Sequence, residues 1–312
     1  MPASAPSPRA EPGSAHRPRR NWGRAALIAA PQAWLGLFLL LPFAILLKIS
    51  LSESDILGIG FEPMVSLARQ NLVIKLRLAA YIALVHDHLY LLTYLSSLGY
   101  ALATTLLCLL VGYPFAYFVA RARPGRRPAL LMLVMLPFWT SFLIRIYAWK
   151  NLLDTNGLVN QLLLAAGLVQ APLHMMFTPF SFMIGMVYGY IPFMILPLYA
   201  TLVKLDPRLL EASADLGATP WQSFWRITVP LSRPGVLAGC ALVFIPAVGE
   251  YVIPSLLAGP STLNIGRILW DEFFSNLDWQ RASAVAFVMV ALVMLPIVLF
   301  SRARARSLEA VE

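Results

Sequence analysis

Six stretches of this chain are apolar for about as long as a helix needs to cross a bilayer, roughly residues 25–50, 94–120, 129–149, 179–203, 234–257 and 282–301. A run of about 20 apolar residues has few courses open to it in hydrocarbon, where no water can satisfy exposed backbone groups, and a helix satisfies them internally. Six such runs predict an all-α membrane protein with six transmembrane helices. Composition agrees, with 59% hydrophobic and 12% charged residues and a mean hydropathy of +0.71. Soluble domains carry about twice that share of charge.

The flanks complete the domain plan. Residues 1–24 are rich in Pro, Ala, Ser and Arg and are expected to form a disordered basic N-terminus. They resemble the basic region of a signal peptide, but the apolar run that follows is too long and lacks a small-residue cleavage site, so it reads as a retained first span. Residues 25–301 form the transmembrane domain, and 302–312 a basic tail. Leu72 to Val85 is short and interrupted by Lys75 and Arg77, which favours a helix outside the bilayer or along its surface. Cys108 and Cys240 both fall in apolar runs and read as packing residues.

Positive charge sets the direction of the spans. Of the 24 Lys and Arg, 16 fall on one set of flanks, in groups such as Arg17 to Arg24, Arg121 to Arg127, Lys204 to Arg233 and Arg302 to Arg306. The opposite flanks hold 8, among them Lys48, Lys75, Arg145, Lys150 and Arg267. The positive-inside rule then places both termini, and the loop between spans four and five, in the cytoplasm. The same clustering argues against nucleic acid as the reason for a formal charge of +9. Prolines in or at the ends of spans, such as Pro114, Pro137, Pro192 and Pro246, either kink the helices or break them along a pathway.

The loop from 206 to 230 carries two sets of helix signals. Asp206 can cap a helix with Pro207 at its first position, and Gly217 suits a left-handed exit. Thr219 can cap a second helix, with Pro220 first and Gln222 closing a capping box, and Trp221, Phe224 and Trp225 give it an aromatic face. Val229-Pro230 is expected to end this helix, with span five starting at 232–234. Such a loop is either an amphipathic element resting on the membrane or a docking element for another protein. Small residues at 212–214, flanked by Leu209, Leu210 and Leu216, favour docking.

Glu211-Ala212-Ser213, Gly217, Ile227 and Pro230 resemble the EAA motif of permease subunits of binding-protein-dependent ABC importers. Ser213 stands where that motif usually has Ala, and Val229 where it has Leu. The resemblance implies a type I ABC importer permease in a bacterial inner membrane, with the loop as coupling helix. Leu210, Glu211, Ala212, Ser213, Asp215, Leu216 and Gly217 would then meet the ATPase. Stretches 136–149 and 244–254, with Gly266-Arg267 and Trp270 to Phe274, resemble the polyamine importers, the putrescine type first and the spermidine type next. The implied partners are an ATPase dimer that uses ATP and Mg, a second homologous permease and a periplasmic polyamine-binding protein. Spermidine or another small solute stays open as the cargo.

Ionisable groups within a bilayer are costly unless paired or wet, so each is a functional candidate. Glu250 in span five either offers a carboxylate to a di-ammonium ligand, with Tyr251 beside it, or forms a structural pair with Arg145. Trp139, Tyr147, Tyr188 and Tyr190 are candidates for an aromatic wall supplying cation–π attraction, or are packing residues and interfacial anchors. Asp271 and Glu272, expected in an outer loop, attract cations, meet the binding protein or are merely solvated. His86, Asp87 and His88 are too few for a metal site. No lysine follows a glycine, so the chain has no phosphate-cradling Gly-Lys loop. Nothing resembles a nucleophile with its base, and no cofactor is expected on this chain. A secondary transporter would show internal repeats and several buried charges, and few of either are present.

Overall fold

The computed structural model describes residues 22–52, 65–68, 71–74 and 78–309, with side chains described at 27–52 and 78–295. The residues divide into two units at Ile45 and Leu46. Within the first lies most of helix α1 (Trp22–Ser50), an apolar helix that contains Pro31 and Pro42. It starts at Trp22, and the expected N-terminal segment ahead of it lies outside the described residues.

The second unit opens with the end of α1 and an antiparallel pair, β1 (Val65–Ala68) and β2 (Asn71–Ile74), in register Val65 to Ile74. The expected helix over Leu72 to Val85 is thus partly strand. From Ala79 onward the described chain is the short α2 (Ala79–His86). Next comes α3 (His88–Arg121), whose first turn is capped by Asp87, the carboxylate accepting from the Leu89 amide at 2.9 Å. That gives the residue between the two histidines a structural task.

The third apolar run is not a straight helix. It divides into α4 (Arg127–Met135), a tight turn at Leu136–Trp139, and α5 (Phe142–Leu153), followed by α6 (Leu158–Ala165). The two halves are bent by 88°. Pro137 has no amide to continue the ladder, and Thr140 and Ser141 turn extended. The Thr140 hydroxyl donates to the Pro137 carbonyl at 2.7 Å. On α6 the fully buried Asn160 ties the flanking chain down, its side chain donating to the carbonyls of Asp154, Thr155 and Leu173 and accepting from the Leu173 amide.

Next come the long α7 (Pro179–Leu202), the short α8 (Arg208–Asp215) and α9 (Pro220–Ser223) in the 206–230 loop, and the long α10 (Val229–Val248). The run expected over 234–257 also divides, because α10 stops at Val248 and α11 (Val252–Leu257) follows. The chain closes with α12 (Ile265–Phe274) and α13 (Trp279–Glu309). Among the described residues, four helices are long and apolar enough to cross a membrane, and the bent pair makes a fifth. The sixth run lies on α13, whose described apolar part, Trp279–Leu295, is shorter.

The core sits where α3, α7 and α10 pack together, around Ala101, Cys108, Ala116, Phe182, Met194 and Val243, each fully buried. Lipid offers helices no hydrophobic reward for associating, so close packing and hydrogen bonds must hold them. The small side chains of α3 let the backbones approach, and hydroxyls cross-link them. Tyr113 and Ser232 meet at 2.9 Å, and the Tyr94 hydroxyl donates to the Val285 carbonyl at 2.8 Å.

Candidate functional site

At one end of the bundle the loop folds as its sequence directs. The Asp206 carboxylate accepts from the Arg208 amide at 3.0 Å and so starts α8. At its other end Gly217 takes φ +82°, a conformation open to glycine and strained for other residues. The Gly217 amide bonds to the Ala214 carbonyl and the Ala218 amide to that of Ser213, the pair of reversed bonds that closes a Schellman motif. Thr219 and Gln222 form the capping box, with amide contacts of 3.3 and 3.0 Å.

One expectation fails here. Val229-Pro230 does not end the second helix, which passes through a π turn at Phe224–Thr228 into α10. The Val229 amide reaches back to the Phe224 carbonyl, five residues away. This wider turn gives the Pro230 ring room it would lack in a regular helix.

The loop presents two faces. Glu211, Ala212, Asp215 and Leu216 are exposed, Leu216 to 89%, as are Trp221 and Trp225. Leu210 and Ser213 turn inward. The Ser213 hydroxyl lies 2.7 Å from that of Ser223 and joins α8 to α9, a bond that the usual alanine could not make. Phe224 also turns inward, edge-on to Tyr113 and Tyr117 at the end of α3.

At the opposite end Glu250 sits in the break between α10 and α11. Its Oε2 accepts from the Tyr190 hydroxyl at 2.6 Å, and its Oε1 from the amides of Val252 and Ile253 at 2.9 and 3.3 Å. The carboxylate caps a short helix and bonds to a tyrosine, and Arg145 is not its partner. The Arg145 guanidinium lies over the rings of Phe138 and Phe142, at 4.5 and 5.5 Å, with Nε and Nη1 buried and unbonded.

The Glu250 break is wedged by α12. A Cβ on Gly266 would stand 2.5 Å from the carbonyl oxygens of both Gly249 and Glu250, so only glycine allows this approach. Helix α12 is fixed by Asn264, whose side chain accepts from the Gly266 and Arg267 amides. It carries Trp270, stacked on Tyr251 with ring centres 4.4 Å apart and planes 7° apart. Phe274 extends the stack at 4.1 Å from Trp270.

The other candidates scatter. Asp271 and Glu272 lie on α12 and not in a loop. Asp271 is half-buried, whereas Glu272 is buried and accepts from the Tyr90 hydroxyl at 2.5 Å and the Asn276 amide at 3.0 Å. Tyr188 packs edge-on to Trp149, and Tyr147 has the Lys150 ammonium 5.7 Å from its ring. Trp139 is 74% exposed at the bend of the third run. Tyr190 bonds to Glu250 and Tyr251 stacks on Trp270, whereas Trp139, Tyr147 and Tyr188 make separate contacts and do not join them in one wall among the described residues. Tyr90 and Ser223 were missed as partners, and Trp270 was named only within the stretch that carries the resemblance, not as the partner of Tyr251. Among the described residues no group of three metal-ligating side chains occurs.

The family model described as "binding-protein-dependent transport system inner membrane component" matches residues 109–310. The chain belongs to this family. It is 40% identical over 277 residues to the spermidine/putrescine transport system permease protein PotB of Escherichia coli K12, covering 89% of this chain and 96% of that one. The protein of the same description from Haemophilus influenzae is 39% identical, over 87% and 90% of the two chains. Among solved structures, a bacterial ABC transporter that imports the acidic polysaccharide alginate matches with a TM-score of 0.62 at 21% identity, over 93% of this chain and 96% of that one. The likeness extends to the fold. This family member is a multi-pass inner-membrane permease subunit of an ABC importer, with the type I fold, and is not an enzyme.

Proposed function

We propose that this permease carries linear polyamines, spermidine and putrescine, into the cytoplasm, with a second homologous permease, an ATPase dimer and a periplasmic binding protein. The observation that carries the substrate class is 40% identity along 96% of a relative whose name specifies both polyamines. The sequence alone leaned to putrescine; that name widens the proposal to include spermidine. In this reading both termini and the 206–230 loop are cytoplasmic. The exposed face of α8, with Glu211, Ala212, Asp215 and Leu216, fits a groove on the ATPase. That ATPase uses ATP and Mg, and the chain itself holds no cofactor.

The polyamine would pass Glu250. A carboxylate has about four lone-pair positions, and Tyr190, Val252 and Ile253 occupy three of those on Glu250. The fourth, on Oε2, suits an ammonium N–H. The Tyr251 and Trp270 rings and the half-buried Asp271 lie on the elements that meet there and favour cations. The broken helices at 136–141 and 249–251 let the spans rock between two states that differ by about a few kcal/mol, each favoured by a different ligand.

Coexpression with an ATPase subunit, a second permease and a binding protein of the same family of importers should yield a complex with stoichiometric ATPase. In proteoliposomes it should take up labelled spermidine and putrescine only with ATP and the binding protein. Uptake by the purified chain alone, without nucleotide, would refute the reading. Orientation has a separate test. A cysteine at Asp215 in a cysteine-free background should react with an impermeant maleimide in inside-out vesicles and not in spheroplasts. The reverse pattern would invert the topology.

A further inference from the structure

Behind the exposed face of the 206–230 loop is a cavity of about 350 Å³. Its wall includes Tyr117 and Arg121 from the end of α3, Arg127 from the start of α4, Pro207 and Leu210 around α8, and Thr228 from the π turn. Two arginines line this space and no carboxylate does. Arg127 spends its Nε on the Ala122 carbonyl at 2.9 Å, and Arg121 lies 5.0 Å from the Tyr117 ring centre. Among the described residues neither guanidinium has an acidic partner.

Thr228 supplies an independent sign. It is 1% exposed, and its Oγ1 is buried without a hydrogen-bond partner. A buried hydroxyl left unpaired is costly, and the cheapest remedy is an acceptor in the adjoining space. Two cations and a hydroxyl donor around one cavity suit a group that is anionic and rich in acceptor oxygens. Arginine's planar fork matches phosphate oxygens in pairs.

We propose that this cavity is a phosphate-binding site, occupied by the headgroup of an anionic phospholipid or by free inorganic phosphate. The lipid arm rests on the reading that these helix ends lie at the membrane surface, because Arg121 ends one apolar helix and Arg127 begins the next. Pro207 and Leu210 form part of the wall, so an occupant would brace α8 from behind. The site is independent of the solute carried.

The full-length chain in nanodiscs of phosphatidylcholine with increasing phosphatidylglycerol tests the lipid arm, with retained lipid read by native mass spectrometry. Saturable retention of phosphatidylglycerol is expected, falling about tenfold in R121Q/R127Q and less in T228V. R123Q/R126Q removes the same charge from exposed neighbours outside the cavity wall and should retain the lipid like wild type. In pure phosphatidylcholine, labelled inorganic phosphate tests the second source. Saturable phosphate binding that is lost in R121Q/R127Q supports the site with free phosphate as occupant. Equal losses in both double variants, wild-type retention in T228V together with R121Q/R127Q, or no saturable binding in either arm would overturn the proposal.

Discussion

Gly217→Pro is expected to abolish coupled uptake while leaving the permease in the membrane. Proline fixes φ near about −65°, whereas the native residue holds +82°. The substitution also removes the amide that bonds to the Ala214 carbonyl, and it displaces the Ala218 amide from Ser213. A proline where the backbone cannot accept it costs about 3 kcal/mol or more, enough to reduce a correctly formed loop end about a hundredfold. The damage should stay local, because α7 and α10 pack through Met194, Leu198 and Val243, not through the loop. The predicted result is normal membrane yield, uptake lowered about a hundredfold, and ATPase activity that no longer responds to loaded binding protein. Gly217→Ala strains the same φ without losing the amide and should show a milder form of the defect. Wild-type uptake in Gly217→Pro would remove the loop from the coupling path.

The contrast between this loop and the Glu250 region shows what a sequence displays. The caps at Asp206, Thr219 and Gly217 were legible because each is settled within a few residues by bonds to its own backbone. Apolar run length likewise revealed four long apolar helices and, as a bent pair, a fifth, while the described apolar part of the sixth run is shorter than a span. Run length did not reveal where the runs break. Proline is common in membrane helices, and nothing local distinguishes Pro137, beside which the chain bends, from Pro114, which α3 absorbs. Pro230 was misjudged for the related reason that a π turn can accommodate it. Side-chain partners were the least legible. Tyr190 is 60 residues from Glu250, and Tyr90 is 182 residues from Glu272. Their pairing depends on how α7, α3 and α12 pack, and no periodicity encodes that. Glu250 with Arg145 was a reasonable match of charges, but Phe138 and Phe142 take the guanidinium instead.

Glu250→Gln should separate the charge at the α10–α11 break from the architecture it supports. The glutamine carbonyl can still accept from the Val252 and Ile253 amides, and its NH2 can donate to a Tyr190 hydroxyl that has turned to accept. Each bond becomes neutral and weaker, but the cost of burying a charge is removed with it, so the protein should assemble with its partners at near wild-type yield and thermal stability. Polyamine uptake should suffer far more. A unit charge about 4 Å from an ammonium contributes several kcal/mol at an intermediate dielectric, and even partial screening leaves an expected fall in uptake of at least about tenfold. Glu250→Ala is the control for architecture. It strands the buried Tyr190 hydroxyl and two amides, at about 1–3 kcal/mol for each donor left unpaired, and should lower both stability and uptake. Tyr190→Phe keeps the carboxylate and frees a second lone pair on Oε2, so it should retain uptake much better than Glu250→Gln. If Glu250→Gln transports like wild type while Glu250→Ala fails to assemble, the carboxylate is a helix cap alone and the polyamine takes another route.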